Sequence, residues 1–139
     1  MRKTILIVAS ALVVALFIVH CAHMAVPPPP MTYTQLCPGG QGFDNRRGPI
    51  VCIDANTLAA NPDHQRVLRG SWILFVLTNE RQNLDINFEE PGKVQFKGQS
   101  GNRCWVRIRD DAPGGRARYT AVNLSTGKGG EDPDVMIDP

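Results

Sequence analysis

Histidine is nearly missing from this sequence. Three occur in 139 residues, and two of them, His20 and His23, flank an apolar N-terminal run. Only His64, in "NPDHQ", belongs to the rest of the chain. A thiolate–imidazole copper centre needs two histidines, a cysteine and usually a weak axial methionine. Cys104, Met136 and His64 would supply three ligands and leave the second imidazole lacking, so no copper is expected. No two cysteines stand two to four residues apart and the domain holds no histidine pair, which excludes the usual zinc sites.

Catalytic groupings are lacking too. Glu89 and Glu90 are adjacent, and neighbours on a strand point to opposite faces. Asp63 would orient the imidazole of His64, but no nearby serine or cysteine stands out as the nucleophile it would activate. "STGKGGE" has neither the spacing of a phosphate-binding loop nor a helix after it. Asp132, Asp134 and Asp138 lack the regular spacing of a calcium loop. The inventory points away from an enzyme and from any resident cofactor.

Charge of one sign is absent as well. Fifteen Lys and Arg face thirteen Asp and Glu. With Arg2 and Lys3 assigned to the leader, the remaining charges cancel. A balanced domain lacks the electrostatic footprint of a nucleic-acid binder, so no nucleic-acid partner is expected. The charges do segregate along the chain: Arg103, Arg107, Arg109, Arg116 and Arg118 precede a C-terminal acidic stretch.

What the chain does have is one long apolar run. Ile5 to Val19 is broken only by Ser10 and follows Arg2 and Lys3. As a helix it would span about 22 Å against about 30 Å of bilayer core. That suits an export signal better than a permanent span. Cys21 follows in "IVHC", a candidate lipidation site in which His20 occupies the place of the usual small residue. Pro27 to Pro30 then form a semi-rigid spacer of about 3.1 Å per residue. The expected organisation is residues 1–25 as signal peptide or membrane anchor, 26–35 as Pro-rich spacer and 36–139 as the folded domain. The protein is expected to be exported, periplasmic or anchored facing the periplasm, and to meet the membrane only through its N-terminal segment.

After Pro30 no helical period persists, and short β-type runs alternate with turn residues. "PIVCIDA" and "RVLRGSWILFVLT" come first. The unbroken stretch Trp72–Leu77 reads as a central strand buried on both faces. "LDINF" alternates, as does "CWVRI", with Cys104, Val106 and Ile108 on one face and Trp105 and Arg107 on the other. Pro91-Gly92 suits a type II turn; "RYTAVNL" and "VMI" complete the set. Ala55 to Ala60 has room for one helical turn. Seven or eight strands without helical crossovers imply antiparallel pairing and an all-β sandwich of Greek-key type, with a small closed barrel as the alternative.

The order "HQRVLRGSWILFVLTN", "INFEEPGKVQF", "RYTAVNLS", "DPDVMIDP" resembles small exported bacterial proteins with a cupredoxin-like β-sandwich that lack copper ligands. The resemblance spans Ile50 to Asp138. It implies a residue-Gly step before a strand bearing a buried tryptophan, here Trp72, and a compartment outside the cytoplasm.

An oxidising compartment turns cysteine pairs into disulfides. Cys37, Cys52 and Cys104 in the domain allow one bridge and one leftover thiol. Trp105 with Arg107 and Arg109 forms the candidate binding patch, since Trp and Arg are enriched in binding hot spots. The expected function is that of a non-catalytic module binding an unknown protein or envelope component. The alternatives are a degenerate electron-transfer or metal-trafficking protein and an enzyme of unknown type. "NLS", at Asn123, matches a glycosylation acceptor pattern that matters only in a eukaryotic secretory host.

An export-dependent phosphatase fused after Pro30 is expected to be active in cells. An inactive fusion would overturn the reading of the N-terminal run.

Overall fold

The computed structural model describes residues 31–130 and 132–139. The apolar run, His20, Cys21, His23 and the prolines lie outside the described residues. Among those described, a one-turn helix α1 (Tyr33–Leu36) precedes ten strands. These are β1 (Ile50–Ile53), β2 (Ala60–Asn61), β3 (His64–Leu68), β4 (Trp72–Leu77), β5 (Leu84–Phe88), β6 (Val94–Ser100), β7 (Arg103–Ile108), β8 (Gly115–Asn123), β9 (Lys128–Gly129) and β10 (Asp134–Asp138). They form a Greek-key β-sandwich. The front sheet runs β2-β1-β4-β7-β6; the back sheet runs β3-β10-β8-β5, with β9 also paired to β8.

Two findings depart from wholly antiparallel pairing. β1 pairs parallel with β4, and β3 pairs parallel with β10. Parallel neighbours need long connections rather than tight turns. The chain has them: between β1 and β4 it forms β2 and crosses to the back sheet for β3, and β10 closes the fold beside a strand laid down early.

The core follows from period-two alternation. Ile73, Phe75 and Leu77 of β4 and Cys104, Val106 and Ile108 of β7 project inward, to meet Leu84, Ile86, Ala117, Tyr119 and Ala121 from the back sheet. Phe75 and Tyr119 meet edge to face across the layer, 4.9 Å between ring centroids. Such pairs add about 0.5–1.5 kcal/mol beyond their burial. The region Ala55–Ala60 is not helical. Asp54 Oδ1 accepts from the backbone N–H of Asn56 and Thr57, both at 2.8 Å. Leu58 adopts φ 62° there and turns into the core.

Two lysines lace one open side of the sandwich. Lys93 ends a 3₁₀ turn, Pro91–Lys93, where a type II turn was expected. Its buried Nζ donates to Glu90 Oε1 at 2.9 Å and to the Arg116 carbonyl at 2.8 Å, which ties β6 to the back sheet. Lys97 reaches from edge strand β6 to Asp85 on edge strand β5 at 2.8 Å.

The outer side of the front sheet is partly covered. Leu36, Cys37, Cys52 and Val76 form a second apolar cluster, with Tyr33, Ile50 and Leu74 packed against it. Cys37 and Cys52 are disulfide-bonded and Cys104 is the free, buried thiol. α1 has one turn only, far too short to be stable alone. The bridge and Leu36 pin it over β1 and β4.

The bridge closes a loop of 15 residues, for which chain-entropy arguments give about 3 kcal/mol. A Cys37→Ala, Cys52→Ala variant is expected to lower the unfolding free energy by about 2–4 kcal/mol in urea titrations. An unchanged midpoint would show that α1 is held by packing alone.

Candidate functional site

Strand β7 builds the site. Its inward residues are fully buried, so Arg103, Trp105 and Arg107 must face outward, and each is half-buried. On the front sheet Arg107 lies between Trp72 of β4 and Phe96 of β6. Trp105 lies between Leu74 and Gly98. The Trp72 and Phe96 rings meet over Arg107, edge to face with centroids 5.7 Å apart. Both are solvent-exposed, at 44% and 50%. A shallow cavity of about 390 Å³ is lined by Trp72, Gln95, Phe96 and Arg107.

The burial of Trp72 expected from the resemblance does not occur. Trp72 shares an outward parity with Leu74 and Val76, but α1 and the disulfide cover only the latter part of β4. Gly98 explains the position of Trp105. A Cβ at 98 would overlap indole Nε1 and Cε2, so a glycine in the middle of β6 lets the indole lie against the strand. A glycine inside a strand otherwise weakens it.

Arg107 Nε donates to the Gly70 carbonyl at 3.4 Å, and its guanidinium lies 3.3 Å from Asp110. Arg109, just past the strand end, makes a two-pronged contact with Asp111 at 2.7 and 2.9 Å. Hydrogen bonding from Arg109 holds the Asp111 carboxyl below its ordinary value. The structure therefore brings Trp105 and Arg107 together, sets Arg109 at their margin, and adds Trp72, Phe96 and Gly98. Of these three, Trp72 was legible as an aromatic, but its face depends on what covers β4.

The back sheet carries a different surface. Asp134, on β10, accepts from His64 Nδ1 at 3.1 Å and Arg116 Nε at 3.0 Å. Asp138 pairs with Arg66 at 2.7 Å and Arg46 at 3.6 Å. The hydrogen bond from Arg66 lowers the Asp138 pKa, with the charges of Arg66 and Arg46 adding to it. A depressed carboxylate contributes stability above its ordinary value of 3.8 and loses it as pH falls through the folded value. These pairs staple β3, β10 and β8 on a solvated face. Below them the Tyr119 phenol is pushed far up, first by burial and then by Asp134 and Asp63, so it stays protonated.

Among the described residues no three His, Cys, Asp or Glu side chains come together as a metal-holding group. Cys104 lies inside the sandwich, its thiol pushed up to about 11 by burial and secondarily by Asp85. His64 and Met136 line the outer side of the opposite sheet. Among the described residues the donors Cys104, His64 and Met136 do not fit a copper site. Asn123 is buried, donates to Gln82 Oε1 at 2.8 Å and accepts from the Ser125 N–H at 3.1 Å, so its amide is not displayed for glycosylation.

No family model matches the chain, and no curated protein matches it. Among solved structures it is similar to a chain of a heme-copper terminal oxidase dimer, at 14% identity over 99% of both chains, with a TM-score of 0.42. It is also similar to two mutants of amicyanin, one with Cu(I) and one oxidised. These show 12% and 11% identity over 73% of this chain and 95% of theirs, with TM-scores of 0.39 and 0.38. None of these likenesses carries the functional reading.

Removing strand glycines usually stabilises: Gly→Ala in a strand interior is worth about 0.5–1 kcal/mol. Gly98→Ala is expected to do the opposite, lowering the urea midpoint and red-shifting tryptophan emission as Trp105 is lifted off β6. A raised midpoint with unchanged emission would show that the indole does not rest there.

Proposed function

We propose that this chain is a non-catalytic β-sandwich module that works outside the cytoplasm at the cell envelope, and that it binds through the outer face of its front sheet. The observation that carries this reading is the exposed aromatic row around Arg107. Trp72 and Phe96 are left in water although the same face could have held polar side chains, as the back sheet does. Exposed aromatics gathered with arginine are the composition of a binding surface. The Cys37–Cys52 disulfide and the apolar run before the proline spacer support a compartment outside the cytoplasm.

The electron-transfer alternative has less support, because the Cys104 thiol lies inside the sandwich while the His64 imidazole and Met136 lie on the outer side of the back sheet. Copper titration followed by visible absorption tests it; an intense thiolate-to-copper band would favour it over the binding reading.

The binding reading is tested in intact cells with a photo-crosslinking residue placed at position 96 or, as the control, at position 66 on the back sheet. Adducts at 96 without adducts at 66 are expected. No adduct at 96, or equal yields at both positions, would overturn it. Alkylation of the same cells before reduction is expected to leave Cys37 and Cys52 unmodified.

A further inference from the structure

We propose that the partner of the front sheet's outer face is a lipid bilayer surface, an inference that rests on the binding reading above. Four of the five large apolar side chains exposed among the described residues, Met31, Phe43, Trp72 and Phe96, belong to the front sheet or to segments joined to it. Both tryptophans of the chain, Trp72 and Trp105, lie on this one face. Tryptophan rings are favoured where hydrocarbon gives way to headgroups.

The charges agree. Arg103, Arg107 and Arg109 line β7 or follow it directly, and Asp110 and Asp111 occupy Arg107 and Arg109. Arg103 pairs with no carboxylate among the described residues; its guanidinium donates to the Met31 carbonyl. Glu80 lies at the α1 end of the face, where its carboxylate accepts from the Tyr33 N–H, and Arg103 is left as the guanidinium that can reach a lipid phosphate.

The chain's own connectivity points the same way. The Arg103 guanidinium donates to the Met31 carbonyl, so Met31, where the described residues begin, lies beside β7. Eleven residues, 20–30, separate Met31 from the apolar run ending at Val19. If that run is held in a membrane, so short a tether keeps the domain at high effective concentration near the surface. The two exposed rings stand 68° apart, so they offer no flat platform for stacking a planar ligand. Membrane contact is then not confined to the N-terminal segment, as the sequence alone suggested.

The test uses the full chain reconstituted in vesicles of two parts phosphatidylcholine and one part phosphatidylglycerol. Tryptophan emission is compared with and without bromine on the acyl chains. Since both tryptophans report on the proposed face, no label is needed. A loss of emission in brominated vesicles is expected, as the rings would sit where hydrocarbon meets headgroups, together with a blue shift. Phe96→Asp changes an exposed side chain and is expected to reduce the quenching at least twofold while circular dichroism stays unchanged. Vesicle-bound protein with unquenched emission would overturn the proposal, as would quenching indifferent to Phe96→Asp. Protein adducts at position 96 in cells combined with unquenched vesicles would reject lipid as the partner and leave the binding reading intact. Absence of both would reject the two together.

Discussion

Strand β4 buries its inward face and the latter part of its outward face, and the rest of the molecule is arranged around that need. Its inward residues Ile73, Phe75 and Leu77 face the back sheet, and this face alone would make an ordinary sandwich. Its outward Leu74 and Val76 need a second cover. The cover is α1, and the Cys37–Cys52 bridge holds it in place. β1 lies beside β4 and carries Cys52, so the strand that flanks β4 also anchors its lid.

The lid is short, and its shortness creates the exposed face. One helical turn and a disulfide reach Val76 and Leu74 but not Trp72, which lies at the other end of the strand. Trp72 therefore pairs with Phe96 over Arg107, and Trp105 settles on Gly98. The back sheet solves its own exposure differently, with alternating Arg and Asp across β3, β10 and β8. Exposed ion pairs of this kind add little to stability each, but they keep that face wet. The two sides of the sandwich thus differ in chemistry for reasons that trace to individual strand positions.

Much of this was legible from alternation. "LDINF" became β5 with the expected inward set, and "CWVRI" became β7 with Cys104 inside and Trp105 and Arg107 outside. The pairing of two domain cysteines with one left over was also readable, though not which two. Less legible were the parallel pairs, since sequence spacing says nothing about a chain that leaves one sheet and returns. The single turn after Asp54 goes no further because Asp54 also takes backbone N–H groups with its side chain and Leu58 accepts a left-handed conformation in order to be buried.

The sequence by itself determined the strand periodicity, the balance of charge, the lack of a second domain histidine and hence of a copper ligand set, and the presence of an apolar run before a proline spacer. These are local or countable properties, and local pattern reports them directly. Only the tertiary structure decided which faces of the strands meet water. Trp72 and Phe75 stand in the same apolar run, three residues apart. Phe75 is in the core because a back sheet lies opposite it, and Trp72 is exposed because α1 ends before it. Burial depends on what the rest of the chain places nearby, and that information is spread over residues distant in sequence.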